Sequence, residues 1–332
     1  MCLSNNHYDG ARIGFAKSVL VGLEISEIVD GERTDRRLLA YSNQITSHIG
    51  ADAKNPNDDF GWGIPAPITK LGNALLIAVP AAPGSILETD LIPMSRYPWM
   101  VKDMVATVTE PATLSLSPTR SWLLPQKALV VSDFDAGLYD VVIASSASAI
   151  AGTLRAGRVN PTKMPEIRQE LYEQLDLLYP GFQFVLFCFN EKDVGKTGTV
   201  MFRYTPMKGS EHLLYLPGLD GHNGEVEQGL VKLDHTIIAG SYRMNDEAGE
   251  KVDYSDRDVE KELPWLKDCR IIGTCLPQGI EAPQGDFLML LNEVREGTLR
   301  IKRQLPPGWA NVFGEVPDQA PHFIRPARTS RY

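Results

Sequence analysis

Two near-continuous apolar runs set the narrowest limits on how this chain folds: NALLIAV at Asn73–Val79 and FQFVLFCF at residues 182–189. Side chains of a strand alternate between its two faces, so a strand that is apolar at every position is covered on both sides. Pro80 stops the first run, and Pro180-Gly181 precedes the second. Both therefore read as central, buried strands rather than as pieces of a surface helix.

Strand signals recur through the rest of the chain. Residues 16–28 run into the turn pair Asp30-Gly31 and resume at 37–41, which predicts a hairpin with a longish loop. Residues 129–132 and 138–144 flank the turn residues Asp135, Ala136 and Gly137. Further strands are expected at 200–204, Leu213–Leu216, 236–239, 271–275 and 287–291. Helices are few. Ser145, Ser146 and Ser148 precede Ile150 and Leu154 as a serine-capped start. Residues 165–179 put Pro165 in a first turn and Ile167, Leu171, Leu175 and Leu178 on one face. Ser255, with Asp258 three residues on, resembles a capping box before a short helix that Pro264 curtails. Residues 47–67, rich in Asn, Asp, Gly and Pro, read as a long loop. Strands in runs with few helices predict a β-rich α+β fold of mostly antiparallel strands, for which a two-sheet sandwich is one arrangement. The Ser/Pro/Thr-rich residues 115–119 mark a soft boundary between a β-rich region, 1–125, and an α+β region, 126–332; a single domain fits equally.

Charge and cysteine usage narrow the partners. Acidic residues outnumber basic ones 42 to 33, giving a net charge of −9, and the one basic cluster is Arg325, Arg328 and Arg331. That balance excludes a nucleic-acid binder, which holds a phosphate backbone with grouped Lys and Arg. Pro80, Pro83 and Gly84 interrupt the most apolar stretch, 74–86, well short of the ~18 residues of a membrane helix. Residues 1–14 lack a basic leader and an apolar core, and the four cysteines (Cys2, Cys188, Cys269, Cys275) are too irregular for a disulfide scaffold. A cytoplasmic protein with reduced thiols and no cofactor is expected. The spacing of Cys269 and Cys275 lacks a CxxC motif, and Cys188 lies inside an apolar run.

Position 2 carries the sharpest chemistry. Removal of Met1, favoured before a small residue, leaves Cys2 with a thiol and a free α-amine on one carbon. An α-amine has a pKa of about 7.7–8.0, low enough to act as general base beside a thiol of about 8.5. This Met-Cys start resembles the cysteine branch of the N-terminal nucleophile hydrolases, which include bile-salt and penicillin V acylases and glutamine amidotransferases. The resemblance implies that Cys2 attacks an amide carbonyl, with Asn and backbone N–H groups holding the oxyanion. It also implies a nucleophile at the end of a strand in a two-sheet sandwich flanked by helices, with a small-molecule amide or peptide as substrate. Leu3 departs from the Gly, Thr or Ser that follow the cysteine in those families. Arg12 is the candidate partner for a substrate carboxylate, and Asn43 and Asn73 are the candidate oxyanion donors; each also fits an ordinary surface, turn or strand-end role.

A second constellation lies in LPGLDGHNG and LDHT, where Asp220 and His222 share a Gly-rich turn and Asp234 and His235 precede an apolar strand. With Ser241 and Arg243 nearby in sequence, Asp220, His222 and His235 form a candidate metal centre, since imidazole and carboxylate are common ligands. The same residues suit a tight turn, and they could instead orient a distant cysteine. MCLS, LYLPGLDGH and LDHTIIAGSYRM also resemble a bacterial protein family of unknown function, a likeness that implies no activity. A cytosolic C–N hydrolase using Cys2 is thus the leading expectation, a non-catalytic binding or assembly protein the alternative, and a metal-dependent enzyme the third.

Overall fold

The computed structural model describes residues 2–3, 13–29, 31–47, 72–108, 128–190, 193, 198–221, 226, 228–276, 280–314 and 322–325. The strands begin with β1 (Cys2–Leu3), β2 (Ile13–Val29), β3 (Glu32–Ser47), β4 (Asn73–Val79), β5 (Leu91–Ile92), β6 (Leu129–Asp133) and β7 (Tyr139–Ala144). They continue with β8 (Gln183–Phe189), β9 (Thr199–Tyr204), β10 (Leu213–Leu216), β11 (Asp220–Gly221), β12 (Leu230–Leu233) and β13 (Thr236–Ser241). The last are β14 (Glu250–Lys251), β15 (Arg270–Cys275), β16 (Ile280–Pro283), β17 (Asp286–Leu290), β18 (Leu299–Gln304) and β19 (His322–Arg325). Helical segments are α1 (Met100–Val108), α2 (Phe134–Gly137), α3 (Ala147–Arg155), α4 (Gln169–Leu178), α5 (Val259–Glu262), α6 (Leu291–Arg295) and α7 (Trp309–Phe313). This is a β-rich α+β fold. Among the described residues every pairing is antiparallel except β2 with β13 and β1 with β11.

One sheet runs β14-β15-β13-β2-β3-β9-β5, a second β4-β8-β7-β6 and a third β10-β17-β18-β19. Pairing of β3 with β9 and of β4 with β8 joins strands from either side of residue 125. Alternation along the strands then makes four layers. Leu75, Ile77, Val185 and Phe187 face Leu20, Leu39, Tyr41 and Phe202 of the seven-stranded sheet, together with Leu216 and Phe287. Phe187 and Phe202 approach with ring centroids 6.4 Å apart. The opposite face of β4 and β8, through Ala74, Leu76, Leu186 and Cys188, is covered by Ile150 and Leu154 of α3, Leu171 and Leu175 of α4, and Trp309 of α7. The opposite face of the seven-stranded sheet, through Val21, Leu23, Ala40 and Ile238, is covered by Met100 and Met104 of α1 and Val259 of α5. Helices, sheet, sheet and helices thus stack in that order. Each large side chain buried between them contributes about 1.5–3 kcal/mol.

The two runs that most limited the fold are β4 and β8, paired in register from Asn73↔Phe189 to Val79↔Gln183 and buried at every position. Ser146 caps α3 as expected, accepting from the Ala149 amide at 3.2 Å. Three local expectations need correction. The β2–β3 hairpin has a tight connection, with Val29 paired to Glu32 and Gly31 at φ 84°. Polar residues 32–36 extend the strand past the covered core, where no apolar pattern marks it. The expected 165–179 helix starts only at Gln169. Met164 precedes a proline, which disfavours helix, and its carbonyl accepts from Gly72 at 3.0 Å. Ser255 does not cap a helix: its amide and hydroxyl bond Asp103 of α1 at 2.8 and 2.9 Å. The expected 47–67 loop lies, apart from Ser47 in β3, outside the described residues.

Glu24, fully buried in β2, fastens three elements. It accepts from Ser241 Oγ of β13 at 2.5 Å and from Arg295 Nε of α6 at 2.9 Å. Burial alone pushes this carboxyl up, but Arg295, Ser241 and the charge of Arg37 outweigh it, and its pKa lies below the usual 4.5. A depressed folded pKa gives stability that is present above the unfolded value and lost as pH falls through the folded one. Glu24→Gln is therefore expected to cost roughly 2–4 kcal/mol near neutral pH. In urea unfolding the gap from wild type should close as pH drops below 4.5; a gap that is constant down to strongly acidic pH contradicts the assignment.

Candidate functional site

The Cys2 strand joins the fold through its backbone. β1 pairs in parallel with β11, Cys2 opposite Asp220 and Leu3 opposite Gly221, and it also approaches β4 within Cα separations of 8 Å. Adjacent strands lie about 4.8 Å apart, so the register makes Cys2 and Asp220 immediate neighbours. β4 begins with Asn73, which is fully buried. Two groups of residues far apart in sequence thus meet along one line of strands.

The segment leading into β11 is held by two buried ionic side chains. Asp286 Oδ1 at the start of β17 accepts from the amides of Gly218 at 2.9 Å and Leu219 at 3.3 Å, while Oδ2 accepts from the Tyr179 hydroxyl at 3.0 Å. Arg303 of β18 donates from Nη2 to the Gly218 carbonyl at 3.1 Å and from Nε to the Pro283 carbonyl at 2.9 Å. Its guanidinium carbon lies 4.6 Å from the centroid of the Phe287 ring. Asp286 and Arg303 are 1% and 2% exposed, so neither has water as an alternative partner. Burial raises the Asp286 pKa above its ordinary 3.8, against the pull of the Gly218 amide and the Tyr215 and Tyr179 hydroxyls. Burial, and then the Asp286 charge, push the Tyr179 and Tyr215 phenols well up, so both stay protonated.

Of the predicted site residues, Cys2, Asp220 and Asn73 fall on neighbouring strands. Asn73 is turned to its own backbone, its Oδ1 accepting from the Ala74 amide at 2.8 Å. Asn43 lies in β3 of the other sheet, beside the register shift between Ala16 and Val19. Arg12 and His222 lie outside the described residues. His235 reaches the same neighbourhood indirectly: its ring is 5.4 Å from that of Phe287, whose edge also limits the space at Gly218. Its Nδ1 is 3.6 Å from Asp234 Oδ1. Ser241 ends β13 and is committed to Glu24. At ~3.3 Å per residue along the strand it is ~20 Å from His235, so the two do not share a centre. Arg243 pairs with Asp35 at 2.5 Å. Among the described residues no group of three or more His, Cys, Asp or Glu side chains is arranged to hold a metal ion.

The other cysteines behave as their surroundings dictate. Cys188 is fully buried, and burial with the nearby Asp140 charge raises its thiol pKa well above 9.0. Beside it, Lys163 Nζ lies 2.7 Å from Asp140 Oδ1 and 3.3 Å from Asp133 Oδ1. Burial pushes the Cys269 thiol up to about 12. Cys275 is exposed. Sequence reading missed Asp286 and Arg303, although LRIKRQ does alternate: Leu299, Ile301 and Arg303 face inward.

Gly218 tests the clamp. A Cβ there would lie 2.7 Å from Phe287, 2.8 Å from Arg303 Nη1 and 2.8 Å from the Gly285 carbonyl. Gly218→Ala is expected to cost about 1–3 kcal/mol through overpacking, read as a lower melting temperature. Unchanged stability would show that the segment is not held between these side chains.

No family model matches the chain, and no curated protein matches it. Among solved structures the chain is similar to baculovirus P35, with 10% identity, 84% of this chain and 89% of that chain covered, and a TM-score of 0.33. It is similar also to a chain of the caspase-8/P35 complex, with 8% identity, 83% and 87% covered, and a TM-score of 0.30.

Proposed function

We propose that this protein is a hydrolase of C–N amide bonds of the N-terminal nucleophile type, with Cys2 as nucleophile. One observation carries the reading: the two-residue strand bearing Cys2 pairs with β11 and lies beside β4, next to two facing sheets flanked on both sides by helices, the frame that the Met-Cys resemblance implies. Cys2 passes its thiol proton to its own α-amine and attacks the amide carbonyl; the amine returns that proton to the departing nitrogen, and water then cleaves the thioester. Asn73 and backbone amides near Cys2 are the oxyanion donors this reading assigns, with Asn43 in the other sheet the more distant candidate; Arg12 is the candidate partner for a substrate carboxylate. The substrate class is a small-molecule amide or peptide. No helix among the described residues is long and apolar enough to cross a membrane, and the reading places the enzyme in the cytosol.

The test combines intact mass with turnover of a panel of simple acyl amides and peptides by the purified full chain. A mass lacking Met1, with amide hydrolysis that falls on the order of 100-fold or more in Cys2→Ser, is expected, because a hydroxyl is a far weaker nucleophile at neutral pH. Retention of Met1 by protein from its native host, or hydrolysis undiminished in Cys2→Ala, would overturn the reading in favour of a binding or assembly protein.

A further inference from the structure

The Cys2 strand cannot determine its own position. β1 and its partner β11 are two residues each, and so short a ladder is not stable by itself. Its register must come from whatever fixes the chain next to it, and on the β11 side that chain is fixed unusually completely. The amides of Gly218 and Leu219 go to Asp286, the Gly218 carbonyl goes to Arg303, Gly218 has no room for a side chain, and Leu219 is fully buried. A carboxylate at this depth is costly, and an apolar residue would sit in β17 without that cost. What it supplies that an apolar residue cannot is a pair of acceptor oxygens aimed at two successive main-chain amides. Tyr179, at the end of α4, holds the second oxygen and so ties the aim to the helical layer.

We propose that Asp286 is the positioning residue of the Cys2 strand: its buried carboxylate fixes the amides of Gly218 and Leu219, and through them the short β11 on which β1 pairs. Its consequence for catalysis rests on the reading of Cys2 as nucleophile; its consequence for the strand does not. Asp286 touches no reacting atom in this scheme. It acts through the backbone of β11, which makes the placement of Cys2 sensitive to a residue in a different sheet.

Peptide-resolved hydrogen exchange on the full chain separates the two consequences. Asp286→Ala is expected to speed exchange at residues 218–221 and at the Leu3 amide of β1 on the order of tenfold or more, the loss appropriate to hydrogen bonds to a charged group, while 183–189 in β8 stays protected. Asp286→Asn keeps an acceptor oxygen and should restore much of that protection. Should Asp286→Ala fail to fold, Tyr179→Phe, which removes one hydroxyl and keeps the ring, should loosen the same two segments to a smaller extent. In each loosened variant, iodoacetamide alkylation of Cys2 should slow relative to exposed Cys275 at the same pH, with Cys275 itself unchanged. Exchange that is unaltered at 218–221, or that rises equally across β8, would overturn the proposal. If the exchange changes are localised but wild-type Cys2 alkylates no faster than Cys275, the positioning role stands and the nucleophile reading fails.

Discussion

Phe187 of β8 and Phe202 of β9 meet across the space between two sheets, and the side chains packed around them decide where every other part of the molecule sits. With one face of each sheet buried against the other, the remaining apolar face of each must still be covered. α3, α4 and α7 cover one and α1 and α5 the other. The strands β10, β17 and β18 contribute Leu216, Phe287 and Ile301 to the same central layer. Phe287 also closes the space at Gly218, in the segment between β10 and β11.

Within this apolar frame several ionic side chains are buried, and three groups of them are placed where strands or helices must be held in register. Glu24 joins β2, β13 and α6; buried Asp140 and Lys163, with the exposed Asp133, join β6 and β7 to the chain ahead of α4; Asp286 and Arg303 grip the main chain entering β11. Hydrophobic contact is non-directional and fixes how much surface is covered rather than which atoms face each other. Buried carboxylates and guanidinium groups are directional, and removing one partner leaves the other without water or protein to satisfy it.

Much of the frame was legible in the sequence. Asn73–Val79 needed cover on both faces because no polar position interrupts it, and it is β4 with those bounds; Ser146 announced α3 through its cap. The late start of α4 was not legible, because it depends on a tertiary bond from Gly72 to Met164, more than ninety residues away. Of the candidate site, Cys2 and Asn73 were singled out by residue type. The adjacency of Cys2 to Asp220 was not legible, since parallel pairing of two-residue strands leaves no periodic trace. Asp286 heads an apolar strand, and Arg303 continues an alternating one. Alternation turns Arg303 inward, but only the neighbouring sheet and Tyr179 show what it and Asp286 are buried against.

A Cys2 that serves as the proposed nucleophile has the ionisation of an activated thiol rather than that of an ordinary one. Thiolate absorbance, titrated as the difference between processed wild-type protein and Cys2→Ser, reads that property without any knowledge of substrate. A protonated α-amine on the same residue favours the thiolate, so ionisation below the free-cysteine value of about 8.5 is predicted. A Cys2 thiol that ionises at or above that value would contradict the account.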